Sequence, residues 1–204
     1  MILEVFPVGS FQCNCIILGD EESLEAVVID PGDEFEKISK HLDASGLKPI
    51  AFLHTHAHLD HVGATKKLKE KYNGKIYLHK EDEICYYNVK NQAEALGLPA
   101  PEISVVDHFV NDGENLSFGR IKLKFIHTPG HSPGSLCIFL ENQESKILFS
   151  GDTIFCGSIG RTDLWGGDYA TLINSIKTRL LPLPEETTII PGHGPDTKLE
   201  VEKR

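Results

Sequence analysis

The sequence predicts an α+β fold in which two mixed β-sheets pack face to face and helices cover their outer faces. Each half of the chain contains short apolar segments, bounded by glycine, proline or aspartate, together with segments of helical periodicity. Such elements are expected to bury their apolar faces against one another in layers. A chain of 204 residues with 40% hydrophobic content, and without a linker-like segment, is expected to form one domain over residues 1–204.

The first half predicts strands and helices from its periodicity. In order, they are strands at 13–19 and 26–32, a helix at 35–45, a strand at 50–55, a helix at 61–72, a strand at 75–79 and a helix at 81–96. The first two strands are expected to pair as a hairpin. Asp33 is the predicted cap of the first helix, and Gly46 ends it. Asn73-Gly74 and Gly97 end the other two helices.

The second half repeats the theme with more strands. They are predicted at 115–119, 121–128, 135–141, 146–152 and 187–194, with a helix at 169–181. The first two alternate with period two around a turn at Gly119-Arg120. Asp168 is the predicted cap of the helix, which Pro182 and Pro184 end.

Composition excludes several classes of partner. The formal net charge is −10, and no basic run is present, which argues against nucleic acid and against an anionic membrane surface. No segment approaches the roughly 18 apolar residues of a membrane span, and MILEVFPVGS lacks the basic start of a signal peptide. The five cysteines are odd in number and form no CxxC, which predicts reduced thiols and a cytoplasmic location. Cys13 and Cys15 are expected to face one side of a strand and to pack in the core.

The most unusual segment is HTHAHLDH at residues 54–61, which holds four of the ten histidines. His56, His58, Asp60 and His61 come just after a predicted buried strand, at the start of a helix. A strand end followed by a helix start turns several side chains towards one point. The spacing predicts a site for two neighbouring cations.

Three distant residues share this context. His131 lies in HTPGHSPGS, Asp152 in LFSGDTIF and His193 in IIPGHGP. Each follows an apolar strand and lies near a glycine, where the backbone can bend tightly. If the strands are neighbours, their ends gather into one rim. Imidazole nitrogen and carboxylate oxygen are ligands that Zn²⁺ and Fe²⁺ accept.

These motifs, in this order, resemble the metallo-β-lactamase fold superfamily. The resemblance covers nearly the whole chain and implies an αββα sandwich with a metal site at the sheet rim. It implies that His56, His58 and His131 hold a first metal, that Asp60, His61 and His193 hold a second, and that Asp152 bridges them. The implied cofactors are two divalent ions, with Zn first and Fe or Mn as alternatives.

Within the superfamily, IGRTDLWGGD (159–168) and the PGHGP segment resemble the short glyoxalase II-like hydrolases. Only 11 residues follow His193, so the C-terminal glutathione-binding helical domain of the longer enzymes is expected to be absent. The resemblance implies a hydrolase that cleaves a small-molecule thioester, such as S-lactoylglutathione, with a metal-bound hydroxide as the nucleophile. Asp60 is the residue expected to orient the water.

Two rival functions remain open on the sequence. His56, His131 and Asp152 form the two-histidine, one-carboxylate set of non-haem iron oxygenases, and GRTD also occurs in persulfide dioxygenases. A mononuclear iron dioxygenase therefore stays an alternative. The other is a metal-binding module without turnover, which the complete ligand set disfavours.

A few further polar residues are expected to support the site. Asp30, in VIDPG, is a candidate to bind backbone amides beneath the ligands, and His54 and His127 are weaker candidates to orient a ligand through a hydrogen bond. Arg161 and Asp163 are expected to pair with each other and stiffen their loop. His41, His79 and His108 are expected to be ordinary surface or hydrogen-bonded residues.

Overall fold

The computed structural model describes residues 1–142 and 145–203. They form two six-stranded sheets packed face to face. The first sheet contains β1 (Ile2–Val8), β2 (Cys13–Gly19), β3 (Glu25–Ile29), β4 (Lys48–Leu53), β5 (Lys75–His79) and β6 (His108–Val110), in that spatial order. The strands from β1 to β3 pair antiparallel and those from β3 to β6 pair parallel, so the sheet is mixed.

The second sheet is also mixed. Its strands are β7 (Asn115–Phe118), β8 (Ile121–His127), β9 (Leu136–Glu141), β10 (Lys146–Gly151), β13 (Thr188–Pro191) and β14 (Thr197–Lys198). Their spatial order is β14-β13-β10-β9-β8-β7. β10 and β13 pair parallel, and the other pairs are antiparallel. A separate two-stranded ribbon, β11 (Ile154–Phe155) with β12 (Ser158–Ile159), follows β10.

The helices cover the outer faces. They are α1 (Phe35–Ala44), α2 (Leu59–Val62), α3 (Thr65–Tyr72), α4 (Glu83–Tyr87), α5 (Val89–Ala95), α6 (Tyr169–Ser175) and α7 (Leu199–Glu202). Alternation along β2 shows how the layers form, because Ile16 and Leu18 face the second sheet while Ile17 faces the helices. The predicted αββα sandwich is confirmed.

The predicted helix at 61–72 is divided in two. α2 ends at Val62 and α3 begins at Thr65, with Gly63 between them. The backbone of Gly63 lies so close to the carbonyl oxygen of Gly32 that any side chain there would clash with it. The Ala64 N–H donates to the carbonyl oxygen of Pro31 at 3.0 Å, and this bond to the VIDPG loop replaces the one that a continuous helix would make.

Several other local predictions are corrected. The helix predicted at 81–96 is a 3₁₀ turn (Lys80–Asp82) followed by α4 and α5. Asp33 does not cap α1, because the cap position belongs to Glu34, whose φ of 52° is left-handed, and Asp33 accepts a hydrogen bond from the Glu34 N–H instead. Asp168 does cap α6, and it accepts a hydrogen bond from the Thr171 N–H.

Some elements were not predicted. They are β1, β6, the β11–β12 ribbon, β14 and α7. Most are four residues or shorter, too short to carry a clear periodic signal. β1 is longer and its burial alternates, but it is an edge strand whose exposed positions hold Leu3 and Val5, so its sequence lacks the usual alternation of apolar and polar residues.

Cys13, Cys15, Cys85 and Cys137 are buried free thiols, and Cys156 is an exposed one. Within residues 1–142 and 145–203, every helix is too short or too polar to cross a bilayer. The cytoplasmic location stays a prediction.

Candidate metal centre

The structure brings all seven predicted ligands together at one rim of the sandwich. His56, His58, Asp60 and His61 follow β4 and enter α2. The other three lie in the loop between β8 and β9 and just after β10 and β13, and they are His131, Asp152 and His193. Because β10 and β13 are parallel, their carboxyl ends meet at the same edge.

The first subsite consists of three imidazoles, those of His56, His58 and His131. His131 Nε2 lies 2.9 Å from His58 Nδ1 and 3.2 Å from His56 Nε2, and the latter two atoms are 3.0 Å apart. Ligand nitrogens about 2.0–2.1 Å from a tetrahedral Zn²⁺ would stand roughly 3.3 Å from one another. The three nitrogens therefore have the spacing that one cation requires.

The protonation state of these rings suits metal binding. Burial, reinforced by the neighbouring imidazoles, lowers the pKa of His56 well below its ordinary value. Burial and the nearby His131 lower the pKa of His58 to about 3. Both rings are neutral at physiological pH, which is the form that offers a lone pair to a metal.

The second subsite combines two imidazoles with a carboxylate. His61 Nε2 lies 3.3 Å from His193 Nε2, and Asp60 Oδ2 lies 3.2 Å from His193 Nε2 and 3.7 Å from His61 Nε2. Burial alone would raise the pKa of Asp60, but the charge of His61 and the hydrogen bond from His193 hold it well below its usual value. Asp60 is therefore an ionised carboxylate.

Asp152 lies between the two subsites. Its Oδ2 is 3.6 Å from His131 Nε2 and 3.6 Å from His193 Nε2, and its Oδ1 is 3.6 Å from His61 Nε2. Although Oδ1 is buried, it has no hydrogen-bond partner among the described residues. A buried oxygen without a partner carries a cost of desolvation, which a bound cation would remove.

These observations test whether the residues fit a metal pair. Three imidazoles converge on one point, two imidazoles and a carboxylate on another, and a buried carboxylate oxygen without a partner among the described residues lies between them. Nitrogen and oxygen donors of this kind suit Zn²⁺, Fe²⁺ and related ions. The site fits a binuclear metal centre, while the assignment of each ligand stays a prediction.

A set of buried polar groups orients the ligand rings from behind. Asp30 accepts hydrogen bonds from Thr55 N–H (2.8 Å) and Thr55 Oγ1–H (2.6 Å), and its Oδ2 lies 3.0 Å from His61 Nδ1. His131 Nδ1 lies 2.7 Å from the carbonyl oxygen of Arg161. The position suggested for Asp30 by the sequence is therefore found, and contacts of this kind fix the orientation of a ligand ring.

The weaker candidates have different partners. His54 Nε2 lies 3.2 Å from Thr65 Oγ1, so it contacts a helix instead of a ligand ring. His127 Nε2 lies 2.8 Å from the carbonyl oxygen of Pro133, across the loop that carries His131. Arg161 and Asp163 form the expected exposed ion pair.

The three remaining histidines are half-exposed or hydrogen-bonded as expected, and Cys13 has one contact that was not expected. Cys13 is in the core as expected, but its thiol also lies 3.5 Å from His61 Nδ1. Half-exposed His41 and His108 pair with Glu4 and Glu114. His79 is buried and hydrogen-bonded, as one of the two expected alternatives required, because its Nδ1 accepts from the Glu81 N–H, and its ring stacks on that of His127 at 4.0 Å.

Two residues near the site were missed by the sequence analysis. Asp82 and Gln92 bind the backbone of the HTHAHLDH segment, with Asp82 accepting from the Ala57 N–H and Gln92 from the Leu59 N–H. Asp82 lies in the first turn after β5, a strand-to-loop transition like those of the ligands, and this was the available signal. Its neighbours Glu81 and Glu83 made it resemble a solvated acidic run.

Together, this fold and this cluster of donors define a metal-binding protein of the αββα class. The sequence profile of the Metallo-beta-lactamase superfamily matches residues 8–193, and the chain belongs to that superfamily. A curated relative is the hydroxyacylglutathione hydrolase GloC of Haemophilus influenzae. It is 41% identical over 206 residues, which cover the whole of this chain and 96% of that protein.

Solved structures give the same grouping. BLEG-1 B3 metallo-beta-lactamase superposes with a TM-score of 0.88 at 37% identity, over 98% of this chain and 96% of its own. TTHA1623 in a di-iron-bound form superposes with a TM-score of 0.87 at 41% identity, over 98% of this chain and 97% of its own. ETHE1 from Myxococcus xanthus gives 0.81 at 25% identity, over 100% and 82%.

Proposed function

We propose that the protein hydrolyses small-molecule thioesters of the hydroxyacylglutathione type, with two divalent metal ions at the rim site. The observation that carries the proposal is the complete double ligand set, with the carboxylate of Asp152 between its halves. The 41% identity to a hydroxyacylglutathione hydrolase over the full chain supports the substrate class. The di-iron form of TTHA1623 supports a pair of ions and leaves iron open beside zinc.

The bound ions would supply two kinds of chemistry. A divalent cation lowers the pKa of a coordinated water towards 7 and polarises a carbonyl oxygen. His56, His58 and His131 would hold one ion, and Asp60, His61 and His193 the other. The ligands lie at or after strand ends and, for Asp60 and His61, in α2, so the site is organised before substrate arrives.

Asp60 has the catalytic role in the proposal. Its carboxylate is ionised and only partly covered, so it can accept a hydrogen bond from the attacking water and orient the water oxygen towards the thioester carbon. The water loses a proton to solvent, and its oxygen bonds to that carbon as the C=O π pair moves onto the carbonyl oxygen. When that pair re-forms the carbonyl, the C–S bond breaks and the sulfur leaves with its electron pair. A thiol with a pKa of about 8.5 departs as thiolate without a strong general acid. An amide nitrogen would need one.

A cavity beside Asp60 offers space for the remainder of the substrate. Its volume is about 610 Å³, and it lies between the β1–β2 turn, α3 and residues 98–102. Phe11, Leu59 and Leu98 supply apolar walls, and Lys67 supplies a positive charge. Pockets of this size bind small organic molecules, and we propose that this one receives the thiol carrier.

One assay series tests the proposal. The protein, loaded with zinc or with iron and analysed for metal content, is given S-lactoylglutathione, coenzyme A thioesters and a β-lactam. We expect two ions per chain and turnover of at least one thioester, with little turnover of the lactam. A fully metallated protein without activity on any of these thioesters would refute the proposal, and efficient lactam turnover would move the assignment towards BLEG-1.

The iron dioxygenase is the second candidate. The GRTD sequence at 160–163 and the likeness to ETHE1 at 25% identity favour it. Oxygen uptake with glutathione persulfide separates the two candidates. One iron per chain together with oxygen consumption would assign the dioxygenase, and two ions without oxygen consumption would assign the hydrolase.

A further inference from the structure

A buried carboxylate outside the ligand set contacts both loops of the first subsite. Asp82 ends the 3₁₀ turn after β5, and its side chain is fully buried. One oxygen, Oδ2, accepts hydrogen bonds from the Ala57 N–H at 2.9 Å and from the Ser132 hydroxyl at 2.8 Å. The other, Oδ1, accepts one from the Gly134 N–H at 2.6 Å.

The three donors to Asp82 lie beside the ligands of the first subsite, in two different loops. Ala57 stands between two ligands of the first sheet, His56 and His58. Ser132 directly follows His131, the ligand from the second sheet, and Gly134 lies in the same loop. The two loops are separated by about seventy residues of chain and belong to different sheets. A single carboxylate therefore joins the two parts from which the first subsite is assembled.

We propose that Asp82 is a positioning residue for the first metal subsite. It sets the distance between the loop of His56 and His58 and the loop of His131, and so keeps the three ring nitrogens at the spacing that one cation requires. The proposal rests on the metal centre of the proposed function and is independent of the substrate.

The chemistry of the site favours a carboxylate over its neutral analogue. Two oxygens serve three donors that approach from two loops, and hydrogen bonds to a charged acceptor are stronger than neutral ones. An asparagine keeps only one oxygen and turns an NH₂ group towards an N–H or O–H donor. Burial raises the pKa of Asp82, and the hydrogen bonds from Gly134, Ser132 and Ala57 oppose that rise.

Two neighbours show that the contact is closely fitted. A side chain at Gly134 would place its Cβ 2.6 Å from the backbone nitrogen of Asp82, so only glycine allows this approach. Gln92 binds the same first loop at the Ala57 carbonyl (3.1 Å) and the Leu59 N–H (2.9 Å). A backbone hydrogen bond from Leu136 to Thr55 also links the two halves, but it lies outside the three ligands. Asp82 acts between them.

The test compares Asp82→Asn with Asp20→Asn. Asp20 is also a buried carboxylate, and it accepts hydrogen bonds from Arg120 and the Glu22 N–H, but it lies at the far end of β2 from the site. Zinc affinity is measured by competition with a chromophoric chelator. The first subsite is expected to be the tighter of the two. For Asp82→Asn we expect zinc binding at this site to weaken by about 10- to 100-fold, with kcat reduced and KM little changed. For Asp20→Asn we expect affinity within about twofold of wild type.

Milder variants keep the test decisive if Asp82→Asn does not fold. Ser132→Ala removes one donor and leaves the carboxylate, and we expect it to weaken the tighter site about three- to tenfold. Gly134→Ala displaces Asp82 while every hydrogen-bonding group remains, and we expect a loss at least as large.

The result that overturns the proposal is normal zinc affinity in the folded variants of this set, accompanied only by lower thermal stability. Failures of the two proposals are separable. Wild-type protein that binds two ions but hydrolyses no thioester would refute the proposed activity and leave the role of Asp82 intact. Wild-type protein that binds no ion would refute both.

Discussion

The two metal subsites are built from different donors and differ in their contact with solvent. In the first, three imidazoles converge, and His56 and His131 are only 1% and 2% exposed. In the second, His61 is fully buried, but the side chains of Asp60 and His193 are 21% and 27% exposed. The first subsite is thus a closed position, and the second is partly open.

The supporting contacts differ in the same way. The loops of the first subsite are joined by the buried Asp82 carboxylate, whereas His193 is supported through its Nδ1, 3.0 Å from the carbonyl oxygen of Phe11 in the exposed β1–β2 turn. A rigid, desolvated set of ligands holds an ion firmly, while an open set exchanges it and admits water. From this comparison we expect the first subsite to hold its ion more firmly and the more open second subsite to face the substrate.

The largest effect is expected from removing a ligand of the closed subsite. His131→Ala removes the nitrogen that stands within 3.2 Å of both other rings. We expect the loss of one metal equivalent and a fall in kcat/KM of about 10³-fold or more, because a bound cation contributes several kcal/mol to transition-state stabilisation. His108→Ala, which removes a ring paired with Glu114 away from the rim, is the control. If His131→Ala retains two ions and its activity stays within tenfold of wild type, the closed subsite does not anchor the metal centre.

Asp60→Asn should have the next largest effect. The variant keeps the shape of the side chain but removes the charge that orients the water, so we expect a loss of about 10²-fold or more in kcat on S-lactoylglutathione with the fold intact. Steady-state kinetics and circular dichroism measure the two quantities. Asp43→Asn, which changes an exposed carboxylate paired with Lys71, should leave kcat unchanged. An unchanged kcat in Asp60→Asn would remove the catalytic role from this residue.

Removal of metal should proceed in two steps. We expect a chelator to extract the ion of the open subsite first, at a concentration about tenfold lower than that needed for the second ion. Metal content and activity, followed along the titration, check the order. In His193→Ala the easy step should disappear, and in His131→Ala the difficult step should disappear. The opposite assignment would reverse the comparison of the two subsites.

The smallest effect is expected at Cys13, whose sulfur lies 3.5 Å from His61 Nδ1. Cys13→Ser replaces a weak partner of that nitrogen by a hydroxyl, so we expect zinc affinity at the open subsite to change by no more than about threefold. Cys15→Ser is the matched control, since Cys15 is equally buried in the apolar core. It should lower the free energy of unfolding by about 1–3 kcal/mol without an effect on affinity. A tenfold change in Cys13→Ser would give the thiol a larger role.

Much of the fold was predictable because its signals are local. The strands β2, β4, β8 and β10 are recognisable from their own apolar runs. In the same way, Asp168 marks the start of α6 because it is a helix-capping residue. The break after Val62 was not predictable, since it depends on a hydrogen bond from the Ala64 N–H to the carbonyl oxygen of Pro31 in a distant loop. The single-domain organisation and the individual ligand roles stay predictions.

The sequence by itself determined which donors are available, because imidazoles and carboxylates placed after strands and beside glycines are visible as motifs along the chain. Only the tertiary structure decided how far apart the donors stand and which buried groups hold them there. Asp82 and Asp30 illustrate the difference. Both orient ligands through contacts between segments at least 25 residues apart, and no periodic pattern encodes a distance between two loops that meet only when the sheets pack.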